Sequence, residues 1–231
     1  MCEVSAIFSR VQDEGRKALL EPEAKSICIA YGIPVTSFKV AKKEDQAVTF
    51  AEEIGFPVVL KIVSPQILHK TDVGGVELNL KTIEDVRLAY RNILSRIQKS
   101  APEAKITGVL VQEMAPPSTE VIIGAIKDSQ FGQSVMFGLG GIFAEVIDDV
   151  VFRVAPINKA EARLMMTEVK AYPILTGYRN RPVLDTETLV DILIATSDLI
   201  IENEHVQELD LNPILVYPKG AKVVDARIIL E

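Results

Sequence analysis

The sequence contains no tryptophan, only two histidines and only two cysteines among its 231 residues. Cys2 and Cys28 lack any metal-ligand spacing, so a reducing, cytoplasmic compartment is expected. Cys28 falls in the helical pattern SICIAYG and reads as a small buried hydrophobe, whereas Cys2 is incidental to the N-terminus. No apolar run reaches the roughly 20 residues of a membrane-spanning helix, and the start, Met-Cys-Glu-Val-Ser, has neither a basic nor an apolar leader region. Low-complexity segments and internal repeats are missing as well. The net charge of −7 argues against a dedicated nucleic-acid binder or a partner of anionic membranes, while leaving room for a local basic site that holds phosphate.

What is present is an alternation of helical and strand patterns. Helices are expected over 5–18, from 21 to Gly32, over 43–54, 82–99, 158–168 and 185–203. Strands are expected over 35–40, 57–63, 76–80, 107–113, 120–127, 133–138, 150–154, 206–210, 213–217 and 222–225. The class is therefore α+β (α/β) in two lobes, with a stiff connection at Pro116-Pro117. The expected division is a helical extension over 1–20, an N-terminal lobe over 21–113 and a C-terminal lobe over 114–231. Between two strands of the first lobe, SPQILHKTDVGG (64–75) is longer than a tight hairpin needs, and Gly74-Gly75 gives it backbone freedom.

Five constellations could carry chemistry. Lys61, inside PVVLKIV, is either a solvated lysine on an open strand face or a cation that holds polyphosphate in a dry cleft. His69 stands beside Lys70, Thr71 and Asp72; a lone loop histidine is commonly a solvated group, yet an imidazole nitrogen is also a competent nucleophile toward phosphorus. In VQEMAPPSTE, the segment Gln112-Glu113-Met114 leads across two prolines to Glu120; it is either a plain linker or a hinge whose backbone reads an adenine edge while a carboxylate takes ribose hydroxyls.

The stretch GLGGIFAEVIDDVVFRVAP matches neither the dinucleotide fingerprint nor the Walker pattern. Its Arg153 needs an anion, which a nucleotide or a structural partner, Asp148 or Asp149, could supply. Finally, alternation places Glu208, Asp210 and Asn212 on one strand face, with Asp225 on a following strand. Oxygen donors so grouped suit Mg²⁺, which takes few protein ligands together with substrate phosphates; a merely exposed polar face is the alternative. His205 reads as a surface histidine.

In order and spacing these segments resemble the ATP-grasp enzymes from about Glu21 to the end of the chain. FPVVLKI resembles the family strand whose lysine, here Lys61, contacts nucleotide phosphates, and VQEM resembles the adenine-binding hinge. LDLNP with Asp225 resembles the metal pair of the acyl-CoA synthetase branch, which makes Asn212 and Asp225 the implied Mg²⁺ ligands and Asp210 a neighbour of a phosphohistidine. HKTDVGGV is similar to the β subunit of ADP-forming acetyl-CoA synthetases, in which the histidine corresponding to His69 carries phosphate.

The resemblance implies reversible phosphoryl transfer between His69 and ADP/ATP, coupled to acyl-CoA + ADP + phosphate = acid + ATP + CoA. Lys61, Gln112, Glu113, Met114, Glu120 and Arg153 are the implied nucleotide-binding residues, and the 64–75 loop is expected to be mobile. A chain of 231 residues leaves no room for a CoA-binding domain. An α subunit bearing that domain and a second catalytic histidine is thus implied, in a heterotetramer. The competing readings are a regulatory or degenerate ATP-grasp domain of an acyltransferase system, a stand-alone carboxylate–amine ligase, and a non-enzymatic scaffold.

Overall fold

A computed structural model describes residues 2–67, 69–141, 149–180 and 182–231, and the side chains of all these except Cys2 and Asn180. Leu68 of the His69 loop and Asp148, one candidate partner of Arg153, lie outside the described residues. In chain order the elements are α1 (Cys2–Asp13), α2 (Glu21–Ala30), β1 (Phe38–Ala41), α3 (Glu44–Ile54), β2 (Val58–Val63), β3 (Val76–Leu80), α4 (Ile83–Ser100), β4 (Gly108–Glu113), β5 (Thr119–Asp128), β6 (Gly132–Leu139), β7 (Val150–Val154), α5 (Lys159–Glu168), α6 (Thr186–Glu202), β8 (Val206–Val216), β9 (Ala221–Val223) and β10 (Ala226–Leu230). Among the described residues, no helix is long and apolar enough to cross a membrane.

The contacts divide the chain into two compact units, one of Met1–Leu19, Glu23–Val35 and Pro117–Glu231, the other of Leu20–Pro22 and Thr36–Pro116. This differs from the division expected from sequence. Residues 1–19 form no separate extension, and most of α2 groups with the second half of the chain. The cause is apolar: Phe8, Val11, Ala24, Ile27 and Cys28 are buried in one cluster with Val121, Ile123, Leu209 and Ile228. The backbone adds to it, with Leu19 N–H donating to the Ile228 carbonyl at 3.0 Å and Val223 N–H to that of Pro34 at 2.9 Å.

In the smaller unit, four antiparallel strands run in the order β1-β4-β2-β3. Val58, Leu60 and Ile62 of β2 point to the face that packs with Ala47, Val86, Ile93 and Ile97 of α3 and α4. Thr82 starts α4 by a reciprocal cap: its hydroxyl accepts from Asp85 N–H at 3.1 Å while the Asp85 carboxylate accepts from Thr82 N–H at 3.0 Å.

In the larger unit, an antiparallel sheet runs β10-β8-β5-β6-β7, with β9 beside β8. Val135, Ala125, Leu209 and Ile228 form one buried row across it, and α6 presents Leu189, Leu193 and Ile200 to the same core. Asp185 caps α6, accepting from Thr188 N–H at 3.0 Å, and also accepts from Gly220 N–H at 2.8 Å. Its carboxyl is accordingly held below the usual carboxylate range, first by the Gly220 amide.

Two strand expectations are corrected. The segments 206–210 and 213–217 are one strand, β8, which passes through Pro213. An irregularity in the β5–β8 register between Val121 and Ile123 accommodates it. Asp225 lies on no strand; it precedes β10, which the sequence pattern did not reveal.

Candidate functional site

The candidate residues fall into two groups, one in each unit. In the smaller unit, Lys61 sits in β2 and is 6% exposed, so it is no solvated surface lysine. Its neighbours Leu60 and Ile62 face the helices, and Lys61 shares the other sheet face with Gln112, since Val59 pairs with Gln112 and Lys61 with Leu110. A buried ammonium needs a counter-charge. Glu21, the first residue of α2, supplies one at 2.7 Å, and its other carboxylate oxygen lies 3.1 Å from Lys70 Nζ.

Lys70 adjoins His69, which is exposed. The loop around it is fixed on both sides. Ile67 is buried in the α3–α4 core, and Lys70 accepts a hydrogen bond from Gly75 N–H at 2.7 Å. Gly75 in turn accepts from Ile62 N–H at 2.7 Å. Gly74 uses the expected backbone freedom, with φ at +65°, whereas Gly75 permits a close approach: a Cβ there would come within 2.5 Å of Ile62 Cγ2 and 3.0 Å of the Lys70 carbonyl oxygen. Further along this unit, Gln112 is buried, and Glu113 accepts from Ser37 N–H at 2.9 Å while donating its own N–H to the Ser37 carbonyl at the same distance. Met114 N–H donates to the Pro57 carbonyl at 3.1 Å.

In the larger unit, register places Arg227, Asp210, Gly124, Met136 and Phe152 in one row across the sheet. Arg227 bonds Glu208 and lies 3.9 Å from Asp210. Burial pushes the Asp210 carboxyl up, with Glu208 and Asp225 adding to the shift and Arg227 opposing it. Asn212, on the same strand face, is exposed, and its N–H donates to the Asp225 carbonyl at 3.2 Å, which brings these two oxygen-bearing residues side by side. Among the described residues, no three His, Cys, Asp or Glu side chains gather into a metal cluster.

Glu120 is exposed and borders a cavity of about 480 Å³ within this unit, lined also by Ser118, Thr119, Gly140, Gly141 and Leu184. That is the size of a small-molecule site. Arg153 does not join Asp210 and Asn212. It pairs with Val135, in the row that faces the opposite side of the sheet, and its charge is met by Glu168. Asp149 is occupied elsewhere, accepting from Lys170 and Ala171 N–H at 2.9 Å each.

Residues 10–230 match the ATP-grasp domain family. The chain belongs to the ATP-grasp family. The β subunit of acetate–CoA ligase [ADP-forming] I from Pyrococcus furiosus is 50% identical over 224 residues, covering 97% of this chain and 96% of that one. A structure of acetyl-coenzyme A synthetase 1 from Ca. Korarchaeum cryptofilum, in complex with coenzyme A, Ca-AMPCP and HgCl⁺, superposes with a TM-score of 0.95 at 54% identity and covers 98% of this chain and 99% of that one. A second structure of that protein, with coenzyme A and Mg-AMPPCP and with its phosphohistidine segment pointing towards the nucleotide binding site, gives a TM-score of 0.88 at 51% identity and covers 99% of this chain and all of that one.

Within this ATP-grasp chain, Lys61 and Gln112 share one face, and Asp210, Asn212 and Asp225 stand together. Two partners escaped the reading of the sequence. Glu21 is 40 residues from Lys61 and Arg227 is 17 from Asp210, so neither pairing leaves a mark in local spacing. His205, expected at the surface, is half-buried with its ring edge-on to Phe8 at 4.5 Å.

Proposed function

We propose that this chain is the nucleotide-binding subunit of an ADP-forming acyl-CoA ligase and passes a phosphoryl group between His69 and ADP. Similarity to β subunits over nearly the whole of both chains supports the reaction class. The observation that carries the role of His69 is its position: it is exposed, yet its loop is fastened directly to the Lys61 strand.

In the ATP-consuming direction, an imidazole nitrogen of His69 attacks the γ-phosphorus, an N–P bond forms, and the P–O bond to ADP breaks with the electron pair leaving on ADP. The other direction reverses each change. Lys61 holds phosphate oxygens, Gln112, Glu113 and Met114 take the base, and Glu120 takes ribose hydroxyls. Asp210 orients a phosphorylated imidazole and stabilises its cationic form. Asn212 and Asp225 fit Mg²⁺, since both carry oxygen donors and their backbones lie side by side. A bound Mg²⁺ would neutralise phosphate charge.

The acyl chemistry belongs to an α subunit carrying the CoA-binding domain and a second histidine, in a cytoplasmic heterotetramer. The test is incubation with γ-labelled ATP and Mg²⁺, with the co-purified partner added. An acid-labile, base-stable label is expected on wild type. It should vanish in His69→Ala with nucleotide binding retained, and fall roughly tenfold or more in Asn212→Ala and Asp225→Ala. Full labelling and full turnover by His69→Ala would overturn the assignment.

A further inference from the structure

We propose that Glu21 is a positioning residue that latches the His69 loop through Lys70, using the same carboxylate that holds Lys61. The functional consequence rests on the reading of His69 as the phosphoryl carrier; the latch itself rests on geometry alone. The Glu21 side chain is 2% exposed, and its two oxygens lie 2.7 Å from Lys61 Nζ and 3.1 Å from Lys70 Nζ. Lys70 is also fixed through its backbone, by Gly75 N–H at 2.7 Å. The residue immediately after His69 is thus tied both to the β2–β3 hairpin and to Glu21.

The backbone tie is a neutral hydrogen bond of a turn. The side-chain tie is an ion pair in a largely dry setting, where separating the partners leaves a charge poorly solvated. The ion pair is the restraint that a side-chain substitution can remove. Any excursion of the imidazole that carries Lys70 along must break it. Because Glu21 is shared, the restraint on the loop and the placement of Lys61 both draw on one carboxylate. A substitution at Glu21 should disturb both, whereas a substitution at Lys70 should loosen only the loop.

Hydrogen exchange of the 231-residue chain tests this, read on peptides spanning 64–75 with α4 peptides as internal control. Lys70→Gln is expected to raise loop exchange roughly tenfold or more, with α4 unchanged. Lys70→Arg, which keeps the charge, is expected to restore protection. Glu21→Gln is expected to raise loop exchange as Lys70→Gln does; since it also strips Lys61 of a counter-ion and could impair folding, Lys70→Gln is the deciding variant. Loop exchange in Lys70→Gln equal to wild type, or equally fast in Lys70→Arg, overturns the latch. Labelling of His69 by γ-labelled ATP on the same samples reports separately on phosphorylation. An unlabelled wild type with a loosened Lys70→Gln loop would remove the carrier role and leave the latch standing.

Discussion

Gly75 occupies a place that no other residue can fill without displacing its neighbours. A Cβ there would meet Ile62 Cγ2 at 2.5 Å, and Ile62 is fully buried. Gly75→Ala is expected to cost about 1–3 kcal/mol, as overpacking does elsewhere, measured by urea denaturation; a neutral result would mean that the hairpin yields easily. The pair Gly74-Gly75 was legible as a loop signal. Its purpose was not, because close approach depends on which strand lies opposite. The same holds for Lys61: a lysine within an apolar run announces itself, but only the fold shows that its charge is met by Glu21. Arg153 illustrates the converse. Its need for an anion was readable, and Glu168 on α5, 15 residues away, meets it.

Between elements, charge fastens α3 to α4. Glu44, in the first turn of α3, accepts from Arg91 at 2.6 Å and from Arg87 at 3.0 Å. These two guanidiniums, Arg91 foremost, hold its carboxyl down at about 2. A depressed carboxyl stabilises the fold above its ordinary range and loses that contribution as pH falls through the depressed value. Glu44→Gln should therefore be less stable than wild type at pH 6. The difference should close between pH 4.5 and about 2, followed by thermal melts; a gap independent of pH would exclude the ion pairs as its source. Helix positions in this chain were readable from apolar periodicity and stop signals such as Gly32, while the reciprocal caps Thr82/Asp85 and Asn158/Glu161 emerge in the structure. Strand continuity at Pro213 was not, because a bulge in the β5–β8 register, invisible along one strand, lets the ladder pass a residue without an N–H.

For the molecule as a whole, two separate apolar clusters mean two cores. Ile93 is fully buried in the α3–α4 cluster. Ile93→Ala is expected to cost about 2–5 kcal/mol and to raise hydrogen exchange in β2, β4 and α4 while β5, β8 and α6 keep their protection. Uniform loss across both sets would show a single cooperative unit. The two-lobed α+β class was legible from alternating patterns. The grouping of α1 and most of α2 with the later sheet was not, because it depends on contacts such as Cys28 with the distant β5–β8 cluster, and sequence order carries no trace of them.

The seat of Ile67 sets a time-sharing rule for its neighbour. With Ile67 in the core and Lys70 held, the His69 Cα stays within about 4 Å of that of Lys70. Wider travel lifts Ile67 into water, at about 1.5–3 kcal/mol for a fully buried isoleucine. By that cost alone, before the Lys70–Glu21 ion pair is counted, such excursions are held to between roughly one part in ten and one part in a hundred and fifty of the time. On the reading of His69 as a carrier, a surface that offered Ile67 a second apolar berth would offset that share of the cost, so an isoleucine two positions before the histidine adds its own restraint to that of the Lys70–Glu21 ion pair.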